Sequence, residues 1–216
     1  CPPDGPRAAL ALAAAAQEED AARAAELEKR AVGADAKFAP AAIAHAARLE
    51  AAGSHRRARG VLEAAWLAAP HPDIGAAWVA SVAAPLARVK AVEDLTHRNA
   101  NHPEARLLMA RIALEAGLTG RARSELDALV GSGAADRRAY LLLATLEETE
   151  QGDTAEGRAA QTRWLREAAA ATDAPRWRCD ACGAEHGAWK PDCAACGATA
   201  RINWSSPASL PALTQA

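Results

Sequence analysis

Helix-breaking residues recur along this chain at a nearly constant interval, and that rhythm limits the possible folds more than any other feature. Pro70 and Pro103 lie 33 residues apart, and Gly117 and Gly152 lie 35 apart. The stretch from Ala39 reads as a helix, a turn at Gly53, a second helix and a stop at Pro70. In that second helix Ala58, Leu62 and Ala65 fall on one face by helical spacing. The stretch from Pro103 repeats the order, with Ala110 in the first helix, Gly117 at the turn, and Ala122 and Leu126 in the second. Gly152 marks the turn of a further unit, and Ala24 and Ala31 fit the second helix of a first, alanine-rich one. A more degenerate unit fits between the two prolines, with helices near 74–83 and 86–98. No such hairpin can bury its apolar face alone, so neighbours must stack into a right-handed array.

Composition points the same way. Hydrophobic residues make up 50% of the 216, yet aromatic ones only 4%. Alanine dominates, followed by the helix formers Leu, Arg and Glu, while β-branched residues are sparse. The expected fold is all-α apart from a short cysteine segment. A net charge of −2 supplies no global field toward nucleic acid or anionic lipid. No apolar run reaches the roughly 20 residues of a membrane span.

That cysteine segment carries Cys179, Cys182, Cys193 and Cys196 as two C-x-x-C pairs, and Cys1 is the one other cysteine. Two such knuckles present four thiolates to one tetrahedral ion. Gly183 and Gly197 follow the second cysteine of each pair and can take the positive φ the turn needs. Trp177, Trp189 and Trp204 bracket a segment too small to build a core without a staple. Zinc is the expected ion and iron fits the same ligands. Trp177 and Trp189 are expected to shield the sulfurs, the alternative being exposed stacking platforms. A thiolate site suits a reducing compartment, hence the cytoplasmic side.

The domain organisation expected is a helical repeat region over 1–175, a metal module over 176–207 on which the helices do not depend, and a mobile tail over 208–216. Cys1 stands where a Met would begin a chain, so it reads as a truncation point, with a lipidated cysteine as the rival. Nothing resembles a catalytic constellation, and Gly131-Ser132-Gly133 lacks the lysine and strand of a phosphate loop. His45, His55, His71, His97, His102 and His186 are scattered near turns and helix ends and read as solvated caps. His186 lies inside the knuckle loop and could in principle replace a thiolate, but four cysteines already complete the tetrahedron. A closed four-ligand site stabilises a fold and leaves no position to activate water.

The repeats resemble the tetratricopeptide motif, a 34-residue hairpin with small residues at its eighth, twentieth and twenty-seventh positions. The fold class is therefore a tetratricopeptide-like helical-hairpin solenoid with a four-cysteine zinc-ribbon or rubredoxin-like module. Three departures stand out: Ala or Leu at most aromatic positions, Leu12 at a small position, and Gly157 in place of alanine. The resemblance implies a concave groove lined by first helices, placing Ile43, Glu50, Leu107, Arg111, Leu114, Leu142 and Leu146 on it. That lining suits an apolar or helical segment of a protein partner, with no small-molecule substrate.

Beyond the repeats, Trp177-Arg178-Cys179-Asp180-Ala181-Cys182-Gly183, Trp189-Lys190-Pro191-Asp192-Cys193 and Ile202-Asn203-Trp204 resemble the C-terminal half of the HemY family. That resemblance implies a non-enzymatic scaffold associated with haem and porphyrin biosynthesis, at the inner membrane through an anchor N-terminal to this chain. The lipopolysaccharide assembly protein B family is similar in architecture and implies an adaptor that directs proteolysis of a biosynthetic enzyme. The cysteine spacing also resembles Ran-binding protein 2 type fingers, some of which stack RNA bases on aromatics. Asp180, Glu185 and Asp192 dilute Arg176, Arg178 and Lys190 and disfavour nucleic acid. A rubredoxin-like redox centre is the enzymatic alternative.

Overall fold

A computed structural model describes residues 4–206 of the chain. Cys1 and the tail over 208–216 lie outside the described residues, as does the last residue of the expected metal module. Ten helices occur among the described residues, followed by three short strands. The contacts divide the chain into two compact units. One comprises the helices up to Ala69 together with the chain from Ala174, and the other is Pro70–Asp173.

The first unit contains α1 (Asp4–Gln17), α2 (Ala21–Ala34), α3 (Ala39–Ala51) and α4 (His55–Ala68). Each helix packs on the next, and α1 also reaches α3. Asp20 caps α2 by accepting a hydrogen bond from the Arg23 N–H at 2.8 Å, which satisfies an orphan donor of the first turn. Ala24 and Ala31 are buried, as are Ala58, Leu62 and Ala65 on the face of α4 expected to be apolar. This unit also holds β1 (Arg176–Cys179), β2 (Glu185–His186) and β3 (Ile202–Ser205), an antiparallel sheet in the order β2-β1-β3.

The second unit contains α5 (Pro72–Val79), α6 (Pro85–Thr96), α7 (Pro103–Glu115), α8 (Thr119–Gly131), α9 (Arg137–Gln151) and α10 (Ala155–Ala170). Besides pairing within hairpins, α5 touches α7 and α7 touches α9, so successive first helices stack as a repeat array requires. Ala110, Ala122 and Leu126 are fully buried, which lets paired helices approach closely. The helices of the degenerate unit are shorter than the spacing suggested. Pro85 restricts Ala84 to extended backbone, so α6 can start only at the proline.

Gly157, the departure from the small-residue pattern, has a local cause. Thr154 caps α10 by accepting from the Gly157 N–H at 3.0 Å. A Cβ at 157 would stand 2.9 Å from the Gly152 carbonyl oxygen and 3.0 Å from that Thr154 hydroxyl. Gly157→Ala should therefore destabilise the second unit by about 1–3 kcal/mol despite alanine's better helix propensity. Denaturant unfolding measures it, and a neutral or stabilising result would contradict this packing.

Candidate functional site

The thiolate cluster is built by two similar turns. In the first, the Gly183 N–H donates to the Cys179 carbonyl at 2.8 Å and the Cys179 N–H to the Ala184 carbonyl at 3.0 Å. In the second, Gly197 donates to Cys193 at 2.8 Å and Cys193 to Ala198 at 3.0 Å. Gly183 and Gly197 hold φ of 75° and 72°, the left-handed values that each knuckle demands of the residue after its second cysteine.

These turns bring the ligand atoms of Cys179, Cys182, Cys193 and Cys196 within 4.8 Å of one another. The Cys179 and Cys196 sulfurs are 3.8 Å apart, and those of Cys182 and Cys193 3.7 Å. Four sulfurs at about 2.3 Å from a tetrahedral ion stand about 3.8 Å apart, whereas a disulfide needs about 2.05 Å. The cysteines are free thiols in a geometry that could hold zinc or iron. Cys179 and Cys193 are buried while Cys182 and Cys196 face solvent.

His186 sits beside the cluster, its Nε2 3.4 Å from the Cys193 sulfur, placed to orient a ligand rather than to be one. Burial pushes the Cys193 thiol up, but the backbone N–H groups of Cys196 and Ala195 and the His186 ring outweigh it and bring it down to about 6. Trp177 and Ile202 form a small core with Cys179 and Cys193, against which Trp189 and Trp204 pack.

This module is not an appendage, contrary to the expectation from sequence. Ala200 is buried in one cluster with Ala8, Ala9 and Leu12 of α1, Ala31 of α2, Ala41 of α3 and Phe38, and Trp189 packs against that cluster. The Phe38 and Trp189 rings meet edge to face, 5.2 Å apart. Cysteine spacing reports local turns and says nothing of where the module lands. The stacking-platform alternative fails for the same reason: Trp177 is only 4% exposed, and Trp189 is covered by Phe38. Arg176 and Arg178 are both engaged by Glu185, so they present no free basic patch.

A second candidate lies on the first helices of the other unit. A groove of about 310 Å³ is lined by Glu104, Leu107, Leu108 and Arg111 of α7, by Arg138, Leu141, Leu142 and Thr145 of α9, and by Pro72. The two stripes are the same helical face 34 residues apart, each at i, i+3, i+4 and i+7. Arg138 bridges them by an ion pair to Glu104 at 2.9 Å and is also held by Asp136.

Of the groove residues expected from sequence, Leu107, Arg111 and Leu142 line it. Leu146 does not: it is fully buried in the core with Leu126 and Leu143. Leu114 packs against that core as well. At about 100° per residue, Leu146 is turned about 100° from Thr145 and Leu114 about 60° from Arg111, so each leaves the groove face. Leu108 and Leu141 were missed, although the 34-residue interval relates Leu141 to Leu107 and Leu108 to Leu142. Ile43 and Glu50 belong to the first unit, on α3.

The histidines divide in a way their sequence positions did not show. His102 caps α7, and His71 caps α5 while buried to 5% exposure, so the latter is no solvated cap. His45 is half-buried within α3.

No protein-family model matches the chain. It is similar to the probable magnetosome protein Mms48 of Magnetospirillum gryphiswaldense, at 31% identity over 194 residues, covering 86% of this chain and 41% of that protein. The chain thus spans about two fifths of that relative's length. Among the described residues no helix is long and apolar enough to cross a membrane.

Proposed function

We propose that this chain is a non-enzymatic protein-docking scaffold. The groove of α7 and α9 receives an apolar or helical segment of a partner protein. Zinc held by Cys179, Cys182, Cys193 and Cys196 fixes the cysteine module against α1–α3. The observation that carries the reading is the groove between two matching leucine stripes 34 residues apart, floored by the buried Leu107 and Leu108 and edged by Leu142 and the 44% exposed Leu141. An apolar groove with an exposed leucine at its edge is a surface that the apolar face of an amphipathic helix can cover. The ion, when bound, supplies four metal–thiolate bonds, and the protein turns at Gly183 and Gly197 preset their geometry.

Work beside a membrane is part of this reading, supported by the name of the magnetosome relative and by the HemY resemblance. The haem-pathway and lipopolysaccharide roles rest on the family resemblances alone. Any membrane association is not carried by a spanning helix of the described residues.

Leu141→Asp with Leu142→Asp tests the groove, since neither side chain is fully buried and helix α9 should persist. The intact chain should capture a discrete protein from solubilised membranes, and the double variant should lose it at least tenfold with unchanged circular dichroism. Equal capture by both proteins, or capture of nothing by the intact chain, would contradict the reading.

A further inference from the structure

The unit formed by the first four helices holds a cavity of its own, about 360 Å³, between α2, α3 and α4. Two of its three walls are second helices of hairpins, so it is separate from any groove that first helices line. From α4 it takes Arg57, Gly60, Val61 and Ala64, one face at i, i+3, i+4 and i+7. Val32 of α2 and Leu49 of α3 complete an apolar lining, and His45 stands among them.

Two features of this cavity are not explained by packing. Gly60 sits inside α4, where glycine costs about 0.5–1 kcal/mol relative to alanine. A Cβ there would meet nothing within 4 Å, so no neighbour requires its absence, and the missing side chain leaves the cavity open. The second feature is charge. Glu28 is buried but neutralised by a two-pronged bond from Arg48 at 2.7 and 2.8 Å. Lys29 stands 3.8 Å from Glu26. Arg57 has no ion-pair partner among the described residues and leaves one uncompensated cation on the cavity wall. His45 Nδ1 is buried, 3.9 Å from Glu28 Oε2, and hydrogen-bonds nothing. Burial, ahead of the opposing Glu28 charge, lowers its pKa, consistent with an apolar surrounding.

We propose that this cavity binds a single-chain alkyl carboxylate of about ten carbons, its head on the Arg57 guanidinium and its chain over Val32, Leu49, Val61 and Ala64. An open, largely apolar depression edged by one exposed, unpaired cation complements an apolar body with one anionic end, and the volume sits at the small end of ligand pockets.

Calorimetric titration of the full chain with decanoate tests this, with decyltrimethylammonium as the cation bearing the same tail. Decanoate should fill one saturable site per chain. Gly60→Leu, which places a side chain in the cavity while improving helix propensity, should weaken it at least tenfold, and so should Arg57→Glu on the exposed side of α4. Decyltrimethylammonium should not compete. Absence of a saturable decanoate site, equal binding by the cationic probe, or undiminished affinity in folded Gly60→Leu and Arg57→Glu would each overturn the proposal. Because groove and cavity lie in different units, Leu141→Asp with Leu142→Asp should leave decanoate binding intact.

Discussion

Replacing Cys193 with serine should release the metal, unfold the cysteine module and loosen α1–α3 while sparing α7–α9. Four-thiolate zinc sites contribute about 10–16 kcal/mol of apparent binding energy, more than the rest of so small a module supplies. Cys193 is 2% exposed and touches the core with Trp177 and Ile202, so its loss removes a ligand and a packed sulfur together. The effect should travel because Trp189 and Ala200 belong to the cluster that holds Leu12, Ala31 and Phe38. Far-UV helicity should fall only modestly, since the six helices of Pro70–Asp173 have their own core. Hydrogen exchange should rise in α1–α3 and stay unchanged in α7–α9. Unaltered protection of α1–α3 in the metal-free variant would show that the aromatic contact carries no stability.

Acid should weaken the second unit through His71. Burial pushes its pKa down to about 4; the nearby Asp73 carboxylate opposes this and Arg138 adds to it. The lowered value means that the unfolded chain takes up a proton from about pH 6.5 downward while the folded chain refuses it. Stability from this group is complete above about pH 6.5 and is lost as pH falls to about 4. The gap of 6.5 − 4 = 2.5 pH units corresponds to up to about 3 kcal/mol. His71→Asn keeps a side-chain acceptor for the Asp73 N–H at the start of α5 but cannot titrate. Denaturant unfolding between pH 7 and 4 should show a shallower pH slope in His71→Asn than in the parent. Identical slopes would assign the acid sensitivity to other groups.

Much of this architecture is legible because its determinants are local. Gly53, Gly117 and Gly152 sit where the helices of a pair must turn, and Ala110 and Ala122 sit where they must touch. The knuckles are legible for the same reason, since C-x-x-C followed by glycine specifies a turn within five residues. The groove was half legible. Repeat alignment identifies Leu107 and Leu142, but the Leu114 and Leu146 it also selects fall on the core side of the same helices. At about 100° per residue, a single step from Thr145 to Leu146 already turns a side chain from groove to core.

The docking of the module was not legible. Phe38 and Trp189 are 151 residues apart, and no local pattern pairs the chain's one phenylalanine with a tryptophan of the knuckle loop. The division at Pro70 is likewise hidden, because a proline that ends one hairpin carries no mark of a boundary between compact units. His71 misled in a different way: its cap was expected, but its burial depends on tertiary packing.

X-ray absorption at the metal edge of the purified, reduced protein tests most directly whether a thiolate-bound ion anchors this fold. One ion per chain surrounded by four sulfurs near 2.3 Å is the predicted result. A chain that carries no metal while its four knuckle cysteines are joined as two disulfides would contradict it.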